Sequence, residues 1–357
     1  MVEQINMFED MYQSFKFDKK EINLFEAFAG IGSQAVALKK LSKEFDFKLN
    51  TIGISEIDKH AIASYNAIHG EVKNYGSICD IQELPNDIDI FTYSFPCQDI
   101  SLAGAGKGFA KGGGTRSGLL WEVERILENN HKTHTLPKVL LMENVKALVG
   151  VKFKDDFIQW QLKLQELGYT NYWEVLNAKD YGIPQNRERV FMISVLGKYS
   201  YTFPRPFPLK LRLKNMLEDE VDEKYYLSDK QVERVKKFNI GQNKLENFKT
   251  KDDDVGVVVK GNYSPSGHNA SRVVDENGIA PTVMENHGTV TAVETYSSTR
   301  KITPKEFFRL MGFNDEHFVK ANKVCINAQL YRQAGNSIVV DVLYYIFNPL
   351  FDEGATI

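Results

Sequence analysis

The sequence predicts an α/β protein, with a doubly wound, mostly parallel sheet and a smaller, irregular second domain. Short apolar runs alternate with helical stretches through residues 22–195, which is typical of βαβ units. The alternation stops near Leu196, and the residues that follow favour an extended linker because three prolines lie close together: Pro204, Pro206 and Pro208. We expect a first domain over residues 1–198, a second over 199–300, and a hinge with a returning C-terminal helix over 301–357.

The elements of the first domain follow in order along the chain. Short apolar runs rich in β-branched and aromatic residues predict strands over residues 22–28, 51–55, 89–94, 138–142 and 189–195. Apolar residues at helical spacing predict helices from after Gly32 to Leu41, and over 58–68, 119–128 and 156–167. Residues 200–300 are less regular, with short strand-like pieces. After Ile302 the pattern is helical again, and the apolar stretch 338–347 predicts a helix that packs on the first domain.

Composition excludes several classes of protein. With 357 residues, 43% of them hydrophobic, the chain can bury a sizeable core and is not disordered. Three cysteines are too few for a disulfide framework, so we expect free thiols and a cytoplasmic protein. No apolar run approaches the ~18 residues that cross a membrane, and no signal peptide is expected at the N-terminus. The net charge of −3 argues weakly against a nucleic-acid partner, but the charge that matters for such binding is local.

A glycine-rich turn follows the first predicted strand. Gly30-x-Gly32-x-x-Ala35 opens the first helix, and Glu56 ends the second strand at the spacing of a nucleotide-binding fold. The residues alone are compatible with NAD, with S-adenosylmethionine, or with a purely structural turn. Asp80 is placed to accept a hydrogen bond from an adenine amino group, although an ordinary solvated carboxylate explains it equally well. No metal site is predicted.

A cysteine and a glutamate follow neighbouring strands. Cys97 comes directly after the strand over 89–94, and Glu143 ends the next strand along the chain. In an open α/β sheet ligands lie outside the carboxyl ends of the strands, so both residues are placed for chemistry. A thiolate is a strong nucleophile, and a buried glutamic acid of raised pKa can donate a proton to a ring nitrogen.

Basic residues surround this predicted site. Residues 97–118 are rich in glycine and carry Lys107, Lys111 and Arg116, which indicates a lid that closes on a polyanion. Further along, Arg187 and Arg189 enter a strand two residues apart. Alternation along a strand sends both side chains to one face, where they are able to bind a phosphate or an exocyclic oxygen.

Taken together and in order, five motifs resemble the C5-cytosine-specific DNA methyltransferase family, of the bacterial and phage type. They are Phe28-Ala29-Gly30-Ile31-Gly32, Phe95-Pro96-Cys97-Gln98, Glu143-Asn144-Val145, Gln185-x-Arg187-x-Arg189 and Gly335-Asn336-Ser337. The match covers nearly the whole chain. It implies a Rossmann-like methyltransferase domain that uses S-adenosyl-L-methionine, and a target-recognition domain that binds double-stranded DNA.

The resemblance also implies residue roles. Cys97 would add to C6 of a flipped-out cytosine, Glu143 would hold N3 and the amino group, and Arg189 would contact O2, with Arg187 supporting it or a phosphate. The implied cofactor-binding residues are Phe28, Gly30, Gly32, Glu56, Ile57, Asp80, Pro96, Asn336 and Ser337. The implied DNA-binding residues are Lys107, Lys111, Arg116, Gln185 and Thr282. Target bases would be read within 200–300, by loops containing residues 260–263 and 267–269.

The chain departs from the family pattern at three positions. Ile57 stands where a tryptophan often lies against the adenine, Val283 replaces a leucine after Thr282, and Ser33 replaces a glycine of the cofactor loop. We expect a monomer that needs no stable protein partner, and a cognate restriction endonuclease in the same cell is left open. Three alternatives share parts of this pattern: a tRNA-methylating relative, whose Cys-Phe-Thr signature is not found within 200–300, an NAD-dependent oxidoreductase with a catalytic cysteine, and a DNA-binding regulator without catalysis.

Overall fold

The structure is a computed structural model that describes residues 12–96, 116–241, 256–285 and 289–352. Its strands are β1 (Glu21–Ala27), β2 (Lys48–Ser55), β3 (Ile90–Tyr93), β4 (Val139–Val145), β5 (Tyr169–Asn177), β6 (Gln185–Asn186), β7 (Glu188–Leu196), β8 (Val259–Asn262), β9 (Arg272–Asp275), β10 (Ala280–Pro281), β11 (Ala292–Glu294) and β12 (Thr299–Lys301). Its α-helices are α1 (Ser33–Glu44), α2 (Lys59–His69), α3 (Leu120–Lys132), α4 (Lys154–Glu166), α5 (Asp229–Gly241), α6 (Pro304–Leu310), α7 (Asp315–Asn322), α8 (Asn327–Asn336) and α9 (Val340–Phe347).

A six-stranded sheet in the order β2-β1-β3-β4-β7-β5 forms the centre of the first domain. The pairings β1–β2, β1–β3 and β3–β4 are parallel. Strand β7 is antiparallel to both of its neighbours, β4 and β5, so it alone runs opposite to the other five. The predicted fold class is therefore confirmed: a mostly parallel sheet in a mixed α/β protein.

Helices cover both faces of this sheet. Successive residues of β4 alternate between two apolar cores, with Val139 and Leu141 in one and Leu140 and Met142 in the other. The first core also contains buried residues of α1 and α9, and the second contains those of α3 and α4. The apolar helix predicted near the C-terminus is thus present as α9, and it packs against α1.

A smaller sheet, in the order β12-β11-β9-β8, lies in the region predicted as the second domain. One face packs on a small core of its own, formed by Leu227, Val235, Tyr263, Val273 and Ala292. The neighbouring residues Val274 and Val293 belong instead to the first core of the large domain. The small sheet is therefore joined to the large domain by shared apolar burial.

No helix in the described parts of the chain has the length and apolar character that a membrane crossing requires.

Candidate active site

The site lies along one edge of the large sheet. Strands β1 to β4 are parallel, so the residues that follow or end them meet at the same edge. Phe28 follows β1, Glu56 follows β2, the segment through Pro96 follows β3, and Glu143 lies near the end of β4. Three predicted site residues lie outside the described residues: Cys97, Lys107 and Lys111. Arg116 begins a short 3-10 helix that leads into α3.

The turn between β1 and α1 depends on left-handed backbone at three residues: Phe28 (φ 56°), Gly30 (φ 56°) and Gly32 (φ 79°). A Cβ on Gly32 would lie 2.3 Å from Nε2 of His69, so only glycine fits against α2. A Cβ on Gly30 would meet nothing within 4 Å, so this side of the turn is open to a ligand. Ser33 begins α1 in ordinary helical conformation. Replacing the family's glycine there therefore strains nothing.

Glu56 organises the next loop and ties it to this turn. Its carboxylate accepts hydrogen bonds from the backbone N–H of Gly30 (2.9 Å), and from those of Ile57 and Asp58 (2.8 Å each). The side chain of Ile57 is 77% exposed, an unusual position for a large apolar group. An open glycine turn, a carboxylate and an exposed apolar side chain together fit an adenosine group, with its ribose hydroxyls and flat base. Asp80 is exposed at the end of a short 3-10 helix.

Beneath the turn lies a buried carboxyl group that the sequence reasoning missed. Glu26 is fully buried in β1, where it accepts hydrogen bonds from Tyr65 Oη (2.5 Å) and from the backbone N–H of Ala35 (3.2 Å). Burial raises the pKa of Glu26 to about 7, although both hydrogen bonds oppose the shift. The only sequence signal was an acidic residue inside an otherwise apolar strand. Glu26 holds the start of α1 and α2 together behind the glycine turn.

His69 packs beside Tyr65, with the ring centroids 4.4 Å apart. Burial lowers the pKa of His69 to about 3, so the ring is neutral near pH 7. Its Nε2 lies 3.0 Å from the carbonyl oxygen of Ile31 and, as the protonated nitrogen, donates to it. This contact fixes the middle of the glycine turn.

Glu143 and Arg189 face each other across the antiparallel pair β4–β7. Glu143 is only 8% exposed, and its Oε1 lies 3.3 Å from Nε of Arg189. Burial raises the pKa of Glu143, while the charges of Arg189 and Arg187 and a hydrogen bond with Ser94 oppose that shift. A buried carboxyl group with a raised pKa beside a cationic donor is suited to donating a proton and then stabilising the charge that results.

Asn144, which follows Glu143 in β4, positions the segment that leads to Cys97. Its Nδ2 donates to the carbonyl oxygen of buried Phe95 at 3.1 Å, and its Oδ1 accepts from the backbone N–H of Val145 at 2.8 Å. The half-buried Pro96 comes next. The chain therefore enters the cysteine segment from a fixed point beside Glu143.

Arg187 lies inside the protein, where carbonyl groups hold its guanidinium. It is 4% exposed and donates to three carbonyl oxygens, those of Val283 (2.8 Å), Gly335 (3.0 Å) and Ser337 (2.9 Å). These carbonyls belong to the segment after β10 and to the junction between α8 and α9. The guanidinium thus points into the protein and bridges three distant segments, and its role in supporting Arg189 or a phosphate stays a prediction.

Gln185 likewise has an internal position in place of the predicted contact with DNA. Its side chain is fully buried, with Nε2 donating to the carbonyl oxygen of Leu310 (2.7 Å) and Oε1 accepting from the backbone N–H of Val283 (3.0 Å). Nearby, Thr282 remains partly exposed and donates from Oγ1 to the carbonyl oxygen of Asn186 at 2.7 Å. These bonds hold the segment over 282–285 against the edge of the large sheet at which the candidate site lies.

The Gly335-Asn336-Ser337 motif completes this junction. A Cβ on Gly335 would lie 2.5 Å from the backbone N of Glu285, so glycine is needed for the close approach of that segment. Ser337 is buried and donates from Oγ to the carbonyl oxygen of Gln333 (2.7 Å), whereas Asn336 is exposed. Of the two predicted cofactor contacts, only Asn336 presents a solvent-exposed side chain.

Two residues named within the predicted base-reading loops have other partners. Tyr263 is 3% exposed, and Lys260 forms an ion pair with Asp275 at 2.8 Å. Tyr263 is therefore buried and Lys260 is bonded within the small sheet, whereas residues 267–269 are exposed.

Comparison with known proteins adds an independent finding. The profile of C-5 cytosine-specific DNA methylases matches residues 22–352. The chain is 37% identical to type II methyltransferase M2.ScrFI of Lactococcus lactis subsp. cremoris, over 92% of this chain and 99% of that protein. It is 32% identical to orphan methyltransferase M.SssI of Spiroplasma monobiae, over 93% and 97% of the two chains. The crystal structure of S. pombe Dnmt2 methyltransferase is alike in fold, with a TM-score of 0.65 at 17% identity over 93% and 98% of the two chains.

Proposed function

The chain belongs to the C-5 cytosine-specific DNA methylase family and is a DNA (cytosine-5-)-methyltransferase. From this premise we propose its mechanism and the residues that carry it out. It methylates C5 of a cytosine in a specific double-stranded DNA sequence, through a covalent adduct between Cys97 and C6 of a flipped-out base. The observation that carries this proposal is the buried Glu143 with its raised pKa, 3.3 Å from Arg189, on the strand next to the one that leads to Cys97.

The donor we propose is S-adenosyl-L-methionine, which supplies an electrophilic methyl group when bound. The turn containing Phe28, Gly30 and Gly32 would hold it by close backbone approach, since the open side of Gly30 leaves room. Glu56 would accept hydrogen bonds from ribose hydroxyls, and the exposed side chain of Ile57 would cover one face of the adenine in place of a tryptophan. The proposed cofactor pocket also includes Asp80, Pro96, Asn336 and Ser337.

Cys97 acts first in the proposed reaction. C5 of cytosine is a poor nucleophile until the thiolate adds to C6, because that addition breaks the C5–C6 double bond and moves its electrons toward C5 and the ring. Glu143, whose pKa is raised by burial, donates a proton to N3 and so stabilises the electron-rich ring. Arg189 contacts O2 and keeps Glu143 oriented. After methylation, loss of the C5 proton restores the double bond and expels the Cys97 thiolate.

DNA binding rests on local positive charge in this proposal. Flipping a base out of the duplex costs a few kcal/mol. Contacts of the protein with the phosphates, and with the gap that the flipped base leaves in the duplex, must offset this cost. Lys107, Lys111, Arg116 and the partly exposed Thr282 would supply phosphate contacts. Binding should therefore weaken as salt rises, in proportion to the number of phosphates neutralised.

The test is methyl transfer from labelled S-adenosyl-L-methionine to a duplex library of random sequence, followed by bisulfite sequencing. The wild-type protein should produce 5-methylcytosine within one sequence context. Cys97→Ser should abolish transfer while cofactor and DNA binding, measured by calorimetry and fluorescence anisotropy, survive. Methylation of tRNA alone, or calorimetric binding of NAD and not of S-adenosyl-L-methionine, would contradict the proposal.

A further inference from the structure

Helix α8 contacts both α2, which follows the proposed cofactor loop, and the segment over 282–285. On one side Gln333, which is buried, donates from Nε2 to the carbonyl oxygen of His60 in α2 at 2.9 Å. On the other side the backbone passes so close that a Cβ on Gly335 would lie 2.5 Å from the backbone N of Glu285. The helix therefore lies between two parts of the protein to which we assign different ligands.

Arg332 of α8 bridges these two parts through a pair of carboxylates. Its Nη1 lies 3.0 Å from Oδ2 of Asp58, and its Nε donates to Oε1 of Glu285 at 2.8 Å. The two acidic residues are remote in sequence, so one guanidinium holds together segments that the backbone does not connect directly. Arginine suits this position because its donors point in fixed directions toward two partners at once.

The Asp58 end of the bridge belongs to the proposed cofactor loop. Oδ1 of Asp58 accepts from the backbone N–H of His60 at 2.8 Å and so caps α2. The backbone N–H of Asp58 donates to the carboxylate of Glu56, which also holds Gly30 of the glycine turn. Asp58 is therefore fixed by the loop on one side, and its second oxygen faces Arg332 on the other.

The Glu285 end belongs to the segment that carries Thr282, a proposed DNA contact. Within this segment Val283 accepts from Arg187 through its carbonyl oxygen, and its N–H donates to Gln185. Both partners directly precede β7, which forms one side of the candidate site. The position of Glu285 therefore depends on the same contacts that place this segment beside the site.

We infer that Arg332 is a positioning residue that couples cofactor binding to DNA binding. Its bridge requires both ends to be in place at once, so a ligand that orders one end lowers the entropy cost of ordering the other. The inference rests on the proposed function, because it takes one end to bind S-adenosyl-L-methionine and the other to bind DNA. It adds that each ligand raises the affinity for the other by the same factor, as linkage requires.

Calorimetry with S-adenosyl-L-homocysteine tests this coupling, because the demethylated cofactor has no methyl group to transfer. Its dissociation constant is measured with and without the duplex that the library assay identifies, and the ratio of the two is the coupling factor. The wild-type factor should lie within the range of about 5- to 150-fold that is usual for coupled sites. Arg332→Gln should lower it about 2- to 10-fold, since the side chain is 45% exposed and two such ion pairs are individually weak.

Three further variants complete the test. Glu285→Gln removes one arm of the bridge and should lower the coupling factor while leaving the affinity measured without DNA unchanged. Arg332→Lys should keep part of the factor, since an ammonium reaches one carboxylate but lacks the planar fork. Lys305→Gln is the matched control and should keep the wild-type factor. Lys305 also lies between two carboxylates, those of Glu218 (3.2 Å) and Asp315 (3.3 Å), and neither belongs to the bridged segments.

A wild-type coupling factor of 1, or an unchanged factor in Arg332→Gln, would overturn the inference. An equal fall in Lys305→Gln would also overturn it. A purely structural role for Arg332 would weaken the two measured affinities equally and leave their ratio unchanged, so it is distinguished from coupling. Melting temperatures verify folding, and Glu285→Gln decides alone if Arg332→Gln does not fold. Failure of the wild-type protein to methylate any sequence would instead refute the proposed function, and the coupling with it.

Discussion

Replacing Arg187 with lysine should strongly destabilise the protein, because this side chain joins three segments that are remote in sequence. The guanidinium donates to the carbonyl oxygens of Val283, Gly335 and Ser337 at 2.8, 3.0 and 2.9 Å. A lysine ammonium is a compact point charge and cannot reproduce the planar fork. With one of the three contacts kept and two lost, at about 1.5–3 kcal/mol per charged hydrogen bond, the expected cost is about 3–6 kcal/mol.

Urea denaturation followed by tryptophan fluorescence measures this loss of unfolding free energy. Arg212→Lys is the matched control, because within the described residues the Arg212 guanidinium bonds only the nearby carbonyls of Leu209 and Leu211. Its free energy of unfolding should change by no more than about 1 kcal/mol. An Arg187→Lys protein as stable as the control would show that the three hydrogen bonds of Arg187 do not stabilise the fold. Weakened methylation with unchanged stability would return Arg187 to the catalytic role that its sequence motif implied.

Three further predictions concern the site and its support. Glu143→Gln should slow the chemical step by about 100-fold or more, since it removes the proton given to N3, and should change DNA affinity little; single-turnover kinetics and anisotropy separate the two, and the reverse pattern would assign Glu143 to recognition. The folded protein retains the Glu26 proton up to about pH 7, whereas the unfolded chain releases it near pH 4.5. As the pH rises from 4.5 to 7, the free energy of unfolding should therefore fall by about 3 kcal/mol more in the wild type than in Glu26→Gln. Parallel pH profiles of the two proteins would contradict this. Gly32→Ala should lower the free energy of unfolding by about 2–5 kcal/mol, from left-handed strain and from the clash with His69. Gly30→Ala should lower it only by the strain, about 1–2 kcal/mol, and should mainly impair cofactor binding. Equal losses of unfolding free energy in the two variants would contradict the clash at Gly32.

The sequence predicted the strands that are buried on both faces, because burial leaves a continuous apolar run. Strands β1, β3 and β4 are of this kind, and the predicted segments at 22–28, 89–94 and 138–142 coincide with them. Strand β5 was missed. It lies at the edge of the sheet with its middle residues partly exposed, so its polar and apolar residues show no clear pattern.

The candidate site was predictable where it depended on the ends of strands, and not where it depended on distant contacts. Glu143 follows from its position in a strand, since parallel strands share an edge. The buried positions of Gln185 and Arg187 do not follow, because their partners lie in separate parts of the chain, Leu310 for one and Gly335 for the other. Local alternation predicts a face, but not whether another segment covers it.

A covalent adduct between Cys97 and the target cytosine can be trapped on DNA. Duplex DNA with 5-fluorocytosine at the methylated position should trap the adduct, because fluorine at C5 cannot leave as a proton. With S-adenosyl-L-methionine present, we expect a protein–DNA complex that survives denaturing gels, with the mass increment on the peptide that contains Cys97, and no complex with Cys97→Ser. An enzyme that methylates ordinary DNA but forms no such complex, or forms it equally in Cys97→Ser, would contradict covalent catalysis by Cys97.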